Sequence, residues 1–504
     1  MKVCLLNDSF PPIIDGVATT VTNYANIMTE SGKAKVLVGT PRYPDADYSG
    51  YPYKVVPYQS FDTPDIADGY RAGNPLAIRS VNEMAEFAPD IIHVHCPAVS
   101  AIMGRILRNE TNAPIIFTYH TKYDIDIARA IKSEHIQKEA VKAMITNISA
   151  CDEVWTVSHG AGDNLRSLGY EGDIRVVANG VDFVKGRADA ALIAETVKDF
   201  DLPDTIPMFL FVGRIIKYKG LPLILDAMNR LSLQGIDYRM VFVGTGVDAP
   251  ELQQTAREYG ISLDVRDEDG NITHEPGSQK AGKIIFTGPV YDRNILRAWN
   301  TRADLFLFPS TYDTNGIVVR EAAACGLASV LIRDSCAAEG ITHDRNGWLV
   351  EETGEAIAAL LTEIVRHPEH MHDVGQHAMD EIYISWNESV MNALDRYQTV
   401  LEMNHAGTLK PRRNGKSDKF LSVTADVMEA CYHIFHTPKA LYQDIQENLY
   451  GMQENFAEAE KYLHEKRNSL RTELHEIREN ALDKRNELKK GLKEEWHKLN
   501  GSKK

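Results

Sequence analysis

Along the first third of the chain, short apolar runs alternate with stretches whose apolar residues recur at helical spacing. The runs at residues 3–6, 36–38, 53–56, 91–94, 115–118, 153–157 and 174–177 read as buried strands, with helices such as 19–30 and 134–149 between them. Continuous apolar strands separated by helices predict a parallel sheet covered on both faces. A polar, helix-prone segment at 188–201 precedes a second series of strands at 209–212, 239–243, 284–287, 305–308 and 329–332. The expected fold class is therefore α/β, with two consecutive Rossmann-like, doubly wound domains at 1–187 and 188–381. Their functional site is expected in the cleft between them. Residues 266–282 carry turn residues without a clear period and read as a surface insertion, and 382–404 reads as a closing helix.

Beyond that helix the pattern changes. Residues 420–436 form a mildly amphipathic pattern. Farther on, Leu470, Leu474, Ile477, Ala481, Leu488, Leu492 and Leu499 approximate a 4-3 repeat that Lys484 and Gly491 interrupt. The tail, 405–504, is thus expected to be helical, as a hairpin or a short coiled coil through which the chain could dimerise; a solvated helix packed on its own partner is the plainer alternative.

A length of 504 residues exceeds what one core supports. Charge separates body from tail: the net −16 divides into 19 Lys and Arg against 16 Asp and Glu from residue 405 onward, and 36 against 55 before it. An acidic body argues against a nucleic-acid partner. No apolar run reaches the ~18 residues of a membrane span. The opening MKVCLLND is too short in apolar residues for a signal-peptide core, so the expectation is a cytoplasmic protein. The six cysteines are scattered, without a C-x-x-C pair, and read as reduced core thiols.

Candidate chemistry lies where strands end. After the first strand, the Pro11-Pro12 loop leads to Gly16, whose missing side chain leaves room for a ligand near a helix start. His120 follows the strand at 115–118, at the ligand edge of a parallel sheet. His93 and His95 alternate along one strand; with no third clustered ligand they read as packing or wall residues, and no metal site is expected. Asn179-Gly180-Val181-Asp182 reads as a structural turn where the chain crosses between domains. Gly213-Arg214 and Lys219-Gly220 follow the first strand of the second domain. Arg214 offers a planar fork of donors and Lys219 a compact cation, a set suited to a diphosphate. The richest stretch is 305–326, LFLFPSTYDTNGIVVREAAACG. Here Asp313 sits in a turn, Gly316 and Ile317 open a helix with free N–H groups, and Glu321 lies in its early turns. Carboxylates suit sugar or ribose hydroxyls, and helix N-termini suit phosphate.

Taken together, these landmarks resemble the family-4 retaining glycosyltransferases of the GT-B fold. The resemblance spans roughly residues 1–403 and rests on the P-P-x-x-x-G loop, His120, NGVD at 179–182, G-R-x-x-x-x-K-G at 213–220, and the carboxylate-x7-Glu spacing of 313–321. It implies hexose transfer from a nucleotide diphosphate sugar with no required metal or cofactor. It further implies that Arg214 and Lys219 hold the diphosphate, Glu321 takes the ribose hydroxyls, and Asp313 faces the donor sugar. His120 would lie near the reacting sugar, and Gly16 would approach donor or acceptor. The chain departs from the family where Asp313 replaces the usual Glu and Thr314-Asn315-Gly316 replaces Gly-Phe-Gly; residues 335–340 are also atypical and receive no role.

No enzymic nucleophile is evident, so front-face attack by the acceptor hydroxyl is expected rather than a two-carboxylate hydrolase mechanism. Diacylglycerol glucosyltransferases and phosphatidylinositol mannosyltransferases are similar in plan, and a UDP-glucose-like donor is favoured. Lys122, Arg129, Lys132, Lys138 and Lys142, with the basic amphipathic tail, suggest a lipid or glycan acceptor and peripheral contact with the inner membrane face. Two alternatives stand beside this: a sugar-nucleotide epimerase, and a non-catalytic scaffold of the same fold that binds partners through its tail.

Overall fold

The computed structural model describes residues 1–13, 15–62, 69–75, 77–279 and 281–409. The expected tail helices, coiled coil and dimer contact lie outside these residues.

The first sheet has seven parallel strands in the order Lys54–Tyr58, Lys35–Pro41, Lys2–Leu6, Ile91–Val94, Ile115–Tyr119, Glu153–Thr156, Arg175–Val176. Its central strands are buried along their whole length because helices cover both faces. Cys4 faces Leu37 on one side and Ile92 on the other, so the strand order reverses at the opening strand. The loop leaving that strand, which carries Asp15 and Gly16, therefore sits at a topological switch point.

The second sheet repeats this plan with eight strands. Met208–Val212 lies between Arg239–Val243 and Leu305–Phe308, with Phe209 opposite Leu305. Its switch point thus brings together the two loops singled out for chemistry, one after Val212 and one after Phe308.

Three elements differ from expectation. The supposed insertion is an antiparallel hairpin at the sheet edge, Ser262–Arg266 with Ile272–Glu275. Ile272–Glu275 is the edge strand, and the strand next to it, Ser262–Arg266, alternates only Leu263 and Val265 with polar neighbours, too little for a periodic signal. Trp348–Val350, also unpredicted, adds the opposite edge. The opening helix begins at Gly16, three residues before the expected start, because the Asp15 carboxylate accepts from the Val17 and Ala18 N–H groups at 2.8 and 2.7 Å.

The chain crosses between the domains twice, side by side. On the way back, the Val181 N–H donates to the Ile384 carbonyl, and the Trp386 N–H to the Val181 carbonyl. A Cβ at Gly180 would stand 2.3 Å from the Trp386 nitrogen, so the close approach of the returning chain requires glycine here. The helix Trp386–His405, capped by Ser385, then buries Trp386, Val390, Tyr397 and Val400 against Val3, Leu5, Ile116 and Trp155. The closing helix is part of the first domain's core.

Candidate functional site

Loops from adjacent strands of the second sheet build one half of the site. Lys217–Lys219 forms a single helical turn that ends at Gly220, with φ +76°; a Cβ there would meet the Pro309 carbonyl oxygen at 2.2 Å. Only glycine allows the two loops to approach so closely. In consequence Lys219 Nζ lies 3.0 and 3.2 Å from the Asp313 carboxylate oxygens and 5.4 Å from the centre of the Phe308 ring. Ser310 donates to the same carboxylate at 2.6 Å. Arg214, on the same loop, is exposed and makes one long contact, 3.4 Å, from Nη2 to the Tyr218 hydroxyl. The Tyr70 hydroxyl of the first domain donates to Asp15 at 3.0 Å; burial raises its pKa, and the Arg214 charge opposes that rise. Beside Asp15, a side chain at Gly16 would meet no atom within 4 Å, which leaves open space there.

The helix Ile317–Ala324 carries Glu321, only 7% exposed. Its partner is Arg293, which also takes Asp182, with Nε to Oδ2 at 2.9 Å, and lies 4.5 Å over the Phe183 ring. Burial raises the Glu321 pKa, and the Arg293 charge opposes that rise. For Arg293, burial favours the neutral form, but the carboxylates of Glu321 and Asp182 outweigh it and raise its pKa. Sequence reasoning missed Arg293, because nothing near it in the chain hints at a carboxylate 28 residues away. It also took Asp182 as part of a structural turn; residues 179–180 form no turn, Val181 bridges to Ser385, and Asp182 meets Arg293.

On the facing domain, His120 is 7% exposed and its Nε2 lies 2.9 Å from His95 Nδ1. His93 Nδ1 reaches the Tyr397 hydroxyl at 2.5 Å and its Nε2 the Thr118 hydroxyl at 2.7 Å. The donor-side loop is tied to this edge. Thr314 Oγ1 donates to the His120 carbonyl, Ser158 Oγ to the Thr314 carbonyl, Lys122 Nζ to the Thr311 carbonyl at 2.9 Å, and the Tyr312 hydroxyl to Asp126 at 2.8 Å. Glu339, from the segment given no role, accepts the His159 N–H at 2.6 Å and so caps a helix of the other domain. Among the described residues, no group of three or more His, Cys, Asp or Glu is arranged to hold a metal ion.

Burial holds the three histidines neutral: His120 is pushed down to about 3, and His93 and His95 fall well below their usual value. In the unfolded chain each would titrate near ~6.5. The unfolded state therefore binds more protons than the folded one below that pH, and stability is lost as pH falls from ~6.5 toward the folded pKa values. At pH 5 the loss should reach about 2 kcal/mol for each histidine. Urea unfolding at pH 7 and pH 5 checks this; equal midpoints would contradict it.

Comparison with known proteins follows the same division. Residues 14–185 match the family model described as Glycosyltransferase Family 4, and residues 206–367 match that of Glycosyl transferases group 1, together about two thirds of the chain. The chain belongs to the family-4 glycosyltransferases of the GT-B fold. One relative of this glycosyltransferase is the GDP-mannose-dependent alpha-(1-6)-phosphatidylinositol dimannoside mannosyltransferase of Mycobacterium tuberculosis. It is 27% identical over 63% of this chain and 74% of its own length. Another is the alpha-monoglucosyldiacylglycerol synthase of Streptococcus pneumoniae, 22% identical over 76% and 81%. Among solved structures, Anabaena HepE in complex with UDP superposes with a TM-score of 0.58 at 17% identity, over 80% of this chain and all of its own, which shows the shared fold.

Within the glycosyltransferase the expected residues fall into two neighbourhoods of one gap. Gly213, Arg214, Lys219, Asp313, Gly316, Ile317 and Glu321 lie on the second sheet's carboxyl edge, and Gly16 and His120 on the first. The Asn315 amide, where the family has Phe, is buried, and neither its oxygen nor its nitrogen has a partner among the described residues.

Proposed function

We propose that this glycosyltransferase moves a hexose from a nucleotide diphosphate sugar to a lipid acceptor, with retention of anomeric configuration. A UDP-glucose-like donor is favoured. The observation that supports this reading is the pairing of loops at the second switch point, which sets Lys219 against Asp313, with Arg214 on the same loop as Lys219 and Thr314 donating to the His120 carbonyl of the facing domain.

The chemistry follows from charge. Breaking the bond between sugar and diphosphate leaves an oxocarbenium-like sugar and a leaving diphosphate that carries one more negative charge than it had in the donor. Donors fixed at that diphosphate stabilise charge that grows in the transition state. Arg214 and Lys219 supply this charge in the proposal, and no metal ion is invoked. Glu321, oriented by Arg293, accepts from the ribose hydroxyls, while Asp313 and the Gly316–Ile317 backbone hold the sugar. The acceptor hydroxyl attacks from the face the leaving phosphate vacates and gives its proton to that phosphate.

A lipid acceptor is supported by the names of the two relatives and by the helix Glu134–Ser149. That helix and its approach expose Lys132, Lys138 and Lys142, cations suited to an anionic surface. Lys122 is not part of this face, because it is tied to Thr311. No helix among the described residues is long and apolar enough to cross a membrane, which leaves peripheral contact as the proposed mode.

The test is transfer itself. The full chain, incubated with labelled UDP-glucose or GDP-mannose and diacylglycerol-containing anionic vesicles, is expected to yield a labelled glycolipid whose new bond keeps the donor's anomeric configuration. Transfer only to soluble glycans would overturn the lipid acceptor, and an inverted bond the retaining mechanism.

A further inference from the structure

The histidine at the reacting edge does not stand alone. His95 is fully buried at the end of the neighbouring strand, 2.9 Å through Nδ1 from His120 Nε2, and its own Nε2 is buried with no partner among the described residues. Tyr24 and His93 pack against its ring, with centroids 5.8 and 4.0 Å away, and fix its orientation.

A neutral imidazole carries one N–H, so this contact has two possible forms. If His120 Nε2–H donates to His95, the remaining proton of His95 sits on Nε2, a buried N–H with no acceptor. If His95 Nδ1–H donates, the unpartnered atom is only a lone pair. Buried donors without acceptors are the rarer and costlier case. The second form then places the proton of His120 on Nδ1, the one nitrogen left for a ligand.

We infer that His95 is a positioning residue: through its Nδ1–H it fixes His120 in the Nδ1–H form, so that His120 meets the donor sugar as a hydrogen-bond donor. This rests on the transferase reading above for the ligand, and on the two imidazoles alone for the tautomer. His120 in that form cannot accept the acceptor's proton at Nδ1. Its task is to hold a sugar oxygen.

The test reads the tautomer directly. In the full chain labelled with 15N-histidine, long-range 1H–15N spectra, with His120 assigned by its loss in His120→Asn, should show a protonated Nδ1 and a bare Nε2. A protonated Nε2 in the wild-type chain would overturn the inference. His95→Leu should shift His120 toward the Nε2–H form and lower kcat about tenfold with KM for the acceptor unchanged. His95→Asn, whose amide nitrogen falls where Nδ1 was, should restore kcat to within about threefold. If His95→Leu leaves both tautomer and kcat unchanged, the inference fails even where transfer is robust. If the expected tautomer is found in a chain that transfers no sugar, the tautomer assignment stands and the transferase reading fails.

Discussion

Lys219→Ala is expected to slow sugar transfer by about 10²–10³-fold, the usual cost of one lost donor to a developing charge. Two effects act together at this position. The ammonium now lies 3.0 Å from Asp313 and is largely enclosed, with 12% of its side chain exposed. Its removal subtracts a positive charge from the proposed diphosphate site and leaves the Asp313 carboxylate uncompensated close to an incoming dianion. Lys219→Arg should recover part of the rate, since charge returns without the compact geometry. Arg214→Ala should slow transfer with little change in unfolding midpoint, because among the described residues this exposed side chain makes one long hydrogen bond, to Tyr218. Steady-state kinetics beside thermal unfolding separate the two cations. Equal rates in wild type and Lys219→Ala would remove the proposed role and restore the scaffold reading.

Arg293→Ala should be the most destabilising change at the site. The guanidinium serves two carboxylates at once, and Glu321, 9% exposed in its side chain, has no other ion-pair partner among the described residues. Taking one partner from a buried ion pair costs ~3–5 kcal/mol. Since 43% of the Arg293 side chain is exposed to screening water, about 1–3 kcal/mol is expected here. Without Arg293 the already raised Glu321 pKa should climb further, and a protonated Glu321 is a poorer acceptor for ribose hydroxyls. The signature is a thermodynamic cycle. Adding Glu321→Gln to Arg293→Ala should recover much of the lost stability, because the uncompensated charge disappears. Simple additivity of the two changes would show that the pair carries no coupling.

What could be read from the sequence was whatever depends on neighbours in the chain. Apolar runs gave the sheet strands because parallel strands are buried on both faces, and the segments that follow them carry Arg214, Lys219, Asp313 and Glu321 at the carboxyl edge of the second sheet. The edge hairpin escaped because Leu263 is the one buried apolar position of its first strand, Val265 is only half-buried, and polar residues fill most of the rest. Arg293, His95 and Glu339 escaped for another reason. Each takes its role from a partner that folding alone brings near: Glu321, His120, and the His159 N–H of the other domain. His95 had been paired by pattern with His93 on one strand face; its rings do pack at 4.0 Å, but its hydrogen bond runs sideways to the next strand. Lys122, counted among membrane-facing cations, proved to be a tie between domains.

The claim on which the account rests is that a diphosphate binds where the two loops of the second switch point meet. Isothermal titration of UDP and GDP into the wild-type chain, Arg214→Ala and Lys219→Ala tests it most directly. Charge-assisted hydrogen bonds are worth ~1.5–3 kcal/mol each, so each substitution should weaken the favoured nucleotide by roughly 10- to 100-fold. A nucleotide that binds wild type and both variants with the same affinity would place the diphosphate elsewhere and contradict the account.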